Sequence, residues 1–496
     1  MEIHWHWIAS FLLAVIQLTG WVLIPKALFI ARTPQAAVGW SLALLFLPVF
    51  AIPLFLVFGE SRFSGYTKAG DGGNAGLDAM LVRAWSSMSA ARGGFSEKYA
   101  DAALLVEKLR GLPVTGGNSA RLLVNGTATF DAIFAAIDAA RHSVLVQFFI
   151  ISDDQLGNRL KDRLIAAAGR GVKIYVLYDS VGSKQITLPY LEALRRAGVR
   201  IQGFVTNRQL GMNFQINFRN HRKLVLADHE AAFLGGLNAA DEYLTGGAKF
   251  DSWRDTHMEL RGPAVSALRV NFAEDWFYAT EELIDDGLPI DNWPAAGVAD
   301  RPRPNNQSSI FHHQSLPAVV FASGPADRCN GCLSVFATVI QAAKRRLWLA
   351  SPYFVPDSVL RQALTQAALR GVDTRVLLPS RPDHLLPWWS AFSYYPAMRD
   401  AGVKIYRYLP GFMHQKVLLA DDDLALVGSV NADYRSLMLN FELTAAVNDR
   451  AFAADVHQML ERDFASARAE NMNLFDEADW WFRLRVKLAQ LSSMEQ

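Results

Sequence analysis

Two apolar runs dominate the N-terminal part of the chain. They cover residues 7–24 and 38–58, and each approaches the roughly 20 residues that a helix needs to cross a bilayer. Pro48 and Pro53 predict a kink or a re-entrant segment in the second run. The pattern therefore predicts a two-helix membrane hairpin over residues 1–60. Tryptophans near the ends of the runs fit this prediction as interfacial anchors: Trp5, Trp7, Trp21 and Trp40.

Two other interpretations fit these runs less well. A cleaved signal peptide would carry Lys or Arg before its apolar core, whereas this chain begins Met-Glu-Ile-His and a second apolar run follows at once. Helices of a soluble core would be expected to show some polar face, and these runs have almost none. The orientation in the membrane stays open, because Lys26 and Arg32 between the runs are balanced by Arg62 and Lys68 after them.

The rest of the chain predicts an α/β protein with an internal repeat. Residues 61–112 begin rich in Gly and Ser and predict a linker with a short helical segment. From residue 113 strand-length apolar runs alternate with amphipathic helical patterns, and short words recur in the second half, such as Arg-Gly-Val at 170–172 and 370–372. A repeat as long as a domain excludes a solenoid and predicts two similar α/β lobes, at residues 113–284 and 315–496 with a linker at 285–314.

A polar motif occurs at the same place in both halves. Lys follows His by two positions, Asp follows Lys by five, and Asn follows Asp by ten. Two small residues precede each Asn, Gly235-Gly236 in one half and Gly428-Ser429 in the other. One copy would be weak evidence, but two matching copies are not explained by packing, which does not require His and Lys. The motif residues are His221, Lys223, Asp228 and Asn238, and then His414, Lys416, Asp421 and Asn431.

The spacing predicts that each motif lies on a β-hairpin. The Val- and Leu-rich residues after each Lys predict a strand, on which residues two apart face the same side, so His and Lys would point into one site. Residues 228–230 and 421–423 predict the hairpin turns. The small residues at the end of the second strand would let backbone approach a ligand closely.

The doubled motif resembles the phospholipase D superfamily. Further short sequence motifs resemble those of the bacterial cardiolipin synthases within this superfamily. The resemblance covers nearly the whole chain, including the apolar N-terminus. It implies two phospholipase D-like lobes that form a pseudo-dimer with both histidines in one site, and a cytoplasmic catalytic part at a bacterial inner membrane. The further motifs are Asn-His-Arg-Lys at 220–223, Trp-Arg-Asp-Thr-His at 253–257, Pro-Tyr-Phe-Val-Pro-Asp at 352–357 and Asn-Phe-Glu at 440–442.

The residue types suit exchange at a phosphodiester. Two histidines facing one phosphate supply a nucleophile and an acid, since an imidazole with a pKa near 6.5 is readily neutral or protonated. A covalent phosphohistidine would divide the reaction into two easier displacements. The two lysines supply fixed positive charge, and Asn238 and Asn431 supply hydrogen bonds where negative charge develops. We expect no metal and no cofactor, because these donors suffice and no Asp/Glu cluster predicts an ion site.

The resemblance also implies roles for single residues. His221 would be the nucleophile and His414 the general acid, with Glu259 and Glu442 orienting the histidines. From the residues alone, an ion pair at a strand edge is an equally good interpretation of each glutamate. Asp228 and Asp421 belong to the catalytic motif but are expected to brace the hairpins rather than contact phosphate.

The implied reaction transfers a phosphatidyl group from one phosphatidylglycerol to another and releases glycerol. The alternatives are a phospholipase D-type hydrolase or another phosphatidyltransferase, a nuclease, and a non-catalytic membrane scaffold. A formal net charge of +1 argues against nucleic acid as a partner, and two intact motifs argue against a scaffold. We therefore expect phospholipid and the bilayer as partners, and the oligomeric state stays open.

Three further features allow more than one interpretation. Cys329 and Cys332 cannot by themselves complete a four-ligand zinc site and are interpreted as two buried thiols near a helix start. The aromatic residues at 386–395 suit a lipid entrance, an interfacial contact or core packing. The segment 479–487, with two tryptophans and three basic residues, predicts either a membrane-facing C-terminus or an amphipathic capping helix.

Overall fold

The computed structural model describes residues 5–31, 33–59, 75–110, 112–205, 217–285, 316–327 and 329–491. Its α-helices, in chain order, are α1 (Trp5–Ile30), α2 (Pro34–Phe46), α3 (Pro48–Phe58), α4 (Ala75–Ala90), α5 (Ala100–Arg110), α6 (Asn125–Ala139), α7 (Gln155–Gly169), α8 (Leu188–Arg196), α9 (Glu242–Thr245), α10 (Val265–Thr280), α11 (Gly331–Ala342), α12 (Ser358–Leu369), α13 (Leu385–Ala391), α14 (Tyr395–Ala401), α15 (Tyr434–Met438), α16 (Arg450–Ala465), α17 (Leu474–Glu477) and α18 (Trp480–Leu491).

Its β-strands, in chain order, are β1 (Thr115–Val124), β2 (Ser143–Phe148), β3 (Lys173–Asp179), β4 (Arg200–Phe204), β5 (Leu224–Ala227), β6 (Ala231–Gly235), β7 (Trp253–Arg254), β8 (Thr256–Arg261), β9 (Leu316–Ser323), β10 (Arg346–Ala350), β11 (Phe354–Val355), β12 (Asp373–Pro379), β13 (Lys404–Tyr408), β14 (Phe412–Met413), β15 (Val417–Ala420), β16 (Leu424–Gly428), β17 (Ala432–Asp433), β18 (Glu442–Val447) and β19 (Ala467–Ala469). Short 3₁₀ turns cover Glu97–Tyr99 and Phe392–Tyr394.

The apolar N-terminus forms a helical hairpin. Of the described helices, α1 alone is both long enough and apolar enough to cross a membrane by itself. The second apolar run forms two helices instead of the one predicted, because Pro48 begins a new helix after Leu47. Together α2 and α3, with 13 and 11 residues, extend about 36 Å. Both pack along α1, where Gly20 permits close contact, since a Cβ there would lie 2.5 Å from the carbonyl oxygen of Leu44.

Both lobes contribute to one fifteen-stranded sheet. Its strand order is β19-β13-β12-β10-β15-β16-β18-β9-β1-β8-β6-β5-β2-β3-β4. Counted outward from the central β1–β9 pair, the strands of the two lobes correspond one to one, and β19 is added at one edge. The prediction of an α/β fold with two similar lobes is confirmed, and the lobes share a sheet through antiparallel pairing of β1 with β9.

Each lobe combines a parallel and an antiparallel part. In lobe 1, β2, β3 and β4 are parallel and are connected by α7 and α8, as the alternation of strand and helix predicted. The strands β5, β6, β8 and β1 are antiparallel. Lobe 2 repeats both parts, with β10, β12 and β13 parallel and β15, β16, β18 and β9 antiparallel. The motif hairpins are the β5–β6 and β15–β16 pairs.

Helices cover both faces of the sheet. One face packs against α10 and α16, in a core that takes buried residues from both lobes. The other face is covered by α6, α7 and α8 in lobe 1 and by α11, α12 and α14 in lobe 2. The shared central core fixes the two lobes relative to each other.

The segment before lobe 1 is more than a linker. Residues 60–74 lie outside the described residues, but α4 packs into the central core and α5 packs against α11. The ammonium of Lys98 lies 2.7 Å from a carboxylate oxygen of Asp421 and 2.8 Å from one of Asp423. The segment predicted as a linker with a short helix therefore contains two helices, α4 and α5, which are packed against the lobes. The predicted inter-lobe linker at 285–314 falls, after Asp285, outside the described residues.

Asp228 and Asp421 stand at the two hairpin turns. Their φ angles of 49° and 54° lie in the left-handed region, which aspartate tolerates better than most residues. Each carboxylate also accepts backbone N–H groups from the start of the neighbouring strand, and so braces the hairpin as predicted. The donors are Arg141, His142 and Ser143 for Asp228, and Lys344, Arg345 and Arg346 for Asp421.

Candidate active site

Each histidine motif crosses from its own lobe to the other. The backbone N–H of His221 donates to the carbonyl oxygen of Phe441 at 2.9 Å, and the N–H of His414 donates to that of Arg254 at 2.8 Å. Beside these bonds, β14 of lobe 2 runs parallel to β7 of lobe 1. The strands β5 and β15 begin one residue after each lysine, so the His and Lys residues lie in the extended segments that enter the hairpins.

A carboxylate of the opposite lobe binds each imidazole. Nδ1 of His221 lies 2.9 and 3.0 Å from the two carboxylate oxygens of Glu442. Nδ1 of His414 lies 2.8 Å from Oδ2 of Asp255. All four side chains are buried. Because the carboxylate accepts the Nδ1 proton, it fixes the ring and leaves Nε2 as the nitrogen with a free lone pair.

Glu442 makes the predicted contact, whereas the prediction for Glu259 is wrong. The carboxylate of Glu259 binds Arg121 and, at 2.7 Å, Nε of Arg261. Glu259 lies four residues beyond Asp255, which is about 13 Å along a strand. It is therefore a structural ion-pair residue of β8, and Asp255 is the residue that binds His414.

The register of the sheet explains why Asp255 and Glu442 are equivalent. In lobe 1, Gly235 at the end of β6 pairs with His257 on β8. In lobe 2, Gly428 at the end of β16 pairs with Thr444 on β18. Two residues before His257 and Thr444 are Asp255 and Glu442. Counting along the sequence misses this relation, because the two loops that lead to β8 and β18 differ in length.

The small residues before each Asn make room for these carboxylates. A Cβ on Gly236 would lie 2.1 Å from Oδ1 of Asp255. The equivalent residue Ser429 donates its hydroxyl to Glu442. The space predicted for the close approach of a ligand is thus occupied by the carboxylates that hold the histidines.

The two lysines are buried beside the histidines. Nζ of Lys223 donates to the carbonyl oxygen of His221 at 2.6 Å, and Nζ of Lys416 lies 3.0 Å from each ring nitrogen of His414. Burial lowers the pKa of Lys223 well below its usual value and that of Lys416 to about 8, although nearby carboxylates oppose both shifts. The site keeps two lysine side chains away from water and is suited to an anion, because a bound anion favours the protonated form that burial disfavours.

Burial also lowers the pKa of both imidazoles. The pKa of His221 falls to about 4 even though Glu442 opposes the change. The pKa of His414 falls well below 6.5, with a further lowering by the charge of Lys416. Lys416 also lowers the pKa of His221, and His221 lowers that of His414. The two motifs therefore interact electrostatically around one space, and both imidazoles are neutral at pH 7 in this geometry.

The two motif asparagines differ in their contacts. Asn238 accepts the backbone N–H of Ile150 at 3.2 Å and donates to the hydroxyl of Tyr243 at 2.9 Å. That hydroxyl lies 3.3 Å from Nδ1 of His414. The side-chain oxygen of Asn431 is buried and has no hydrogen-bond partner among the described residues. Asn238 thus contacts His414 through Tyr243, and Asn431 retains an unused polar atom.

Aromatic rings form the walls around the histidines. The ring centroid of Phe149 lies 5.0 Å from that of His221. Those of Trp253, Tyr243 and Phe412 lie 5.3, 5.9 and 5.9 Å from that of His414. None of the sequence motifs predicts a role for these rings, although Trp253 lies in the motif Trp-Arg-Asp-Thr-His at 253–257. They reduce the access of water to both imidazoles.

Two buried ion pairs join the motif segments to the central helices. Arg222 binds Asp275 on α10 at 2.6 Å, and Arg254 binds Asp463 on α16 at 2.8 Å. Arg222 also donates to the carbonyl oxygens of Ser323 and Glu442 in the other lobe. These bonds hold the crossing segments against the central core.

We expect Arg222→Met to lower the free energy of unfolding by about 3–5 kcal/mol, because it leaves the buried carboxylate of Asp275 without its cation. Urea unfolding of the purified protein measures the change. Arg196→Met is the matched control, since it removes an exposed pair with Glu192 and should change the free energy by less than about 0.5 kcal/mol. Equal effects of the two substitutions would contradict the structural role of Arg222.

Other predicted site residues lie away from the histidines. Asp228 stands five residues after Lys223, about 16 Å along an extended chain, and its carboxylate is bound to backbone as described above. Asp421 has the same position in lobe 2. Cys332 is buried as predicted, but Cys329 is exposed. Within the described residues, no group of three or more His, Cys, Asp or Glu side chains is arranged to hold a metal ion.

Comparison with known proteins identifies the family. The sequence matches the family "Cardiolipin synthase, PLD-like domain" over residues 133–276 and 336–464, once in each lobe. Cardiolipin synthase A of Pseudomonas entomophila is 43% identical over 473 residues, which cover 94% of this chain and 94% of that protein. Cardiolipin synthase A of Pseudomonas putida is 42% identical over 498 residues, which cover 99% of each.

A solved structure supports the fold. Phosphatidylserine synthase of Haemophilus influenzae superposes with a TM-score of 0.59 at 15% identity, over 80% of this chain and 100% of that chain. At this identity the likeness concerns the fold alone. The family match and the full-length relatives confirm the resemblance seen in the motifs and identify a phosphatidyltransferase. The chain belongs to the cardiolipin synthases of the phospholipase D superfamily.

Proposed function

We propose that the two histidines transfer a phosphatidyl group from one phosphatidylglycerol to the glycerol of a second, and release glycerol. One observation carries this proposal: Glu442 and Asp255 hold the two imidazoles from opposite lobes, around a space that Lys223 and Lys416 make electropositive. A single phosphodiester anion between the lysines would be in reach of both rings. No other cluster of the described residues combines a nucleophile, an acid and fixed cations.

In the first step, Nε2 of neutral His221 attacks the phosphorus. The bond between phosphorus and the glycerol oxygen breaks, and His414 donates its proton to that oxygen as glycerol leaves. The lipid phosphate brings a negative charge into a buried site, which raises the pKa of His414 and favours the protonated ring that this step needs. Lys223 and Lys416 stabilise the charge that develops on the phosphoryl oxygens.

In the second step, the glycerol hydroxyl of another phosphatidylglycerol attacks the phosphohistidine. His414, now neutral, takes the proton of that hydroxyl, and the bond between phosphorus and His221 breaks to release cardiolipin. Water at the same position would give phosphatidic acid. The aromatic walls favour the lipid acceptor because they limit the entry of water.

The location proposed for the enzyme is the bacterial inner membrane, with the lobes on the cytoplasmic side. Membrane association itself is expected from the relatives and from the apolar helix α1. The side-chain amide of Asn217 donates to the carbonyl oxygen of Phe58, the last residue of α3, at 3.0 Å. Asn217 precedes His221 by four residues, so the hairpin ends next to the motif segment of lobe 1.

Product analysis tests the proposal. Purified full-length protein is incubated with phosphatidylglycerol vesicles, and the lipids and glycerol are followed by mass spectrometry. Cardiolipin with an equal amount of glycerol is the expected result. Phosphatidic acid as the sole lipid product would identify a hydrolase, and cleavage of added DNA with inert lipid would identify a nuclease.

The pH dependence of kcat/KM should show the ionisation of Lys416. Above a midpoint near pH 8, the pKa of this lysine in the free enzyme, Lys416 loses its proton and with it the charge that stabilises the phosphoryl oxygens, so kcat/KM falls as pH rises. Lys416→Arg keeps a positive charge at every pH in this range and should lack this fall, although its overall rate is lower. A fall at the same pH in the Arg variant would assign the ionisation to another group.

Gly236→Ala should reduce turnover about 10–100-fold, because the added methyl displaces Asp255 from its contact with His414 and an error of about 1 Å at a reacting group costs about 10²-fold. Gly94→Ala is the control, since a Cβ at that position meets no heavy atom within 4 Å. Initial rates and melting temperatures of both variants are compared with the parent. Full activity of Gly236→Ala would show that the position of Asp255 is not critical.

A further inference from the structure

The C-terminal helix α18 has two apolar faces. One face consists of Phe482, Val486 and Ala489 and packs on lobe 2, where the Phe482 ring lies 5.3 Å from that of Trp389. The other face points away from the protein. With about 100° per residue, its five side chains fall within one arc about 100° wide. They are Trp480, Trp481, Leu484, Leu488 and Leu491.

This outward face is exposed and has basic residues on both sides. Trp481, Leu488 and Leu491 are 63%, 57% and 81% exposed. On the same helical projection, Arg485 lies on one side of the stripe and Arg483 and Lys487 on the other. The helix contains no Asp or Glu. An apolar stripe with tryptophans and cationic borders is typical of a helix that lies in a membrane interface.

A second exposed apolar element lies next to α18. Helix α13 packs against α18 and begins with Leu385 and Leu386, which are 63% and 52% exposed. Its Trp389 contacts Phe482, and the guanidinium of Arg485 lies 5.9 Å from the Trp389 ring. The two helices therefore form one surface, the α13–α18 surface.

The α13–α18 surface is connected to the active site through Asp383. This residue precedes Leu385 by two, and its negative charge opposes the lowering of the pKa of His414 and of Lys416 by burial. Its carboxylate accepts the hydroxyl of Tyr353, and its backbone carbonyl accepts the ammonium of Lys249 at 3.1 Å. The leucines of α13 thus follow a loop whose Arg381 guanidinium lies 5.1 Å from the ring of Phe250, and that ring lies 4.8 Å from Phe412 in the wall around His414.

We propose that the α13–α18 surface is a second membrane-docking site, which inserts Leu385, Leu386 and the outward face of α18 into an anionic lipid leaflet. The N-terminal hairpin ends beside the lobe 1 motif at Asn217, and the α13–α18 surface begins beside the lobe 2 motif. The bilayer then contacts the protein next to the active site in both lobes, through the N-terminal hairpin beside lobe 1 and through the α13–α18 surface of lobe 2. Lipid is delivered to the two histidines without leaving the leaflet.

The charge of the surface selects the bilayer over a second copy of the chain as its occupant. Arg483, Arg485 and Lys487 are complementary to anionic headgroups, whereas two copies related by a two-fold axis would bring these cations together. Tryptophans at the rim of an apolar stripe also match the headgroup level of a membrane.

Fluorescence of a labelled residue tests the docking without any turnover. Leu488→Cys in a Cys329→Ser background is labelled with an environment-sensitive fluorophore, and the full-length protein is reconstituted in phosphatidylcholine vesicles that contain phosphatidylglycerol. Leu369→Cys is the matched control, since Leu369 is 71% exposed and stands at the end of α12, which packs against α11 and α14. We expect doxyl-labelled lipid to quench the label at residue 488, and aqueous iodide to quench the label at residue 369.

Two results would overturn the proposal. Equal access of iodide to both labels would show that α18 faces water. Protection of the label at residue 488 from lipid and iodide alike, with dependence on the protein-to-lipid ratio, would show that a second copy covers it. Neither result bears on the transfer reaction, which product analysis tests, or on the phosphohistidine, which trapping in His414→Ala tests.

A kinetic comparison tests the role of α13. Leu385→Ser combined with Leu386→Ser should lower the rate on phosphatidylglycerol vesicles about tenfold, because the site loses its alignment with the surface where lipid is concentrated. The rate on monomeric short-chain phosphatidylglycerol should be unchanged. An equal loss on both substrates, or no loss on either, would contradict docking through α13.

Discussion

Turnover falls about 10³–10⁶-fold in both His221→Ala and His414→Ala, which is the largest effect that we expect. A phosphatidyl group accumulates on the protein only in His414→Ala. His221 as nucleophile still attacks the donor when His414 is absent, most readily with a donor whose leaving group needs no proton. Intact-protein mass spectrometry then detects the added phosphatidyl group. Digestion locates it on His221.

The opposite result of the trapping experiment would also assign the roles of the two histidines. A phosphatidyl group trapped on His414 in His221→Ala would exchange the two roles without removing the mechanism. The contacts favour His221 as the nucleophile, because both oxygens of Glu442 are available to its Nδ1 proton, while the ring of His414 has the ammonium of Lys416 within 3.0 Å of both nitrogens. A lone pair close to a cation is a weaker nucleophile.

Asp255→Asn and Glu442→Gln should each lower turnover about 10²–10⁴-fold, which is the second largest effect that we expect. The amide keeps the volume of the carboxylate, but it no longer stabilises the charge that the imidazole acquires, and its NH₂ group favours the wrong tautomer. Initial rates on phosphatidylglycerol vesicles measure the loss. Because the carboxylate and the histidine of each pair come from different lobes, the result also tests whether each lobe supplies the carboxylate that binds the histidine of the other lobe.

Glu259→Gln is the control for these substitutions. Glu259 was the lobe 1 candidate from the sequence, yet its carboxylate binds Arg121 and Arg261. We expect near-normal turnover and a lower melting temperature from the weakened ion pairs. A loss of turnover as large as that of Asp255→Asn, with an unchanged melting temperature, would restore Glu259 as the partner of His414.

Local patterns predicted much of the fold correctly. The alternation of strands and helices predicted from residue 113 is present as β2, α7, β3 and α8, and the hairpin turns at residues 228–230 and 421–423 are where the motif spacing put them. These features depend on residues close in sequence, such as a helix period or a turn-forming Asp, so short stretches are enough to define them. The break at Pro48 was indicated too, although it produced a new helix instead of a kink.

The partner of His414 could not be found in this way. The choice between Asp255 and Glu259 depends on strand register and on the exchange of segments between lobes, and neither leaves a local pattern. The contacts of Gly236 and Ser429 with the histidine-binding carboxylates depend on the same register. Their missing or small side chains do permit a close approach, but by Asp255 and Glu442, which no short-range rule places there.

The amino-acid sequence by itself determined the chemistry of this protein: two His-Lys motifs, their duplication, and an apolar N-terminus, because these are properties of residue type and spacing. Only the tertiary structure decided which carboxylate holds which histidine. It also decided that both lobes share one sheet and that α18 turns a second apolar face outward. These features arise from contacts between residues far apart in the chain. The free energy of such a contact depends on distances and orientations in the folded protein, which cannot be deduced from the order of the residues.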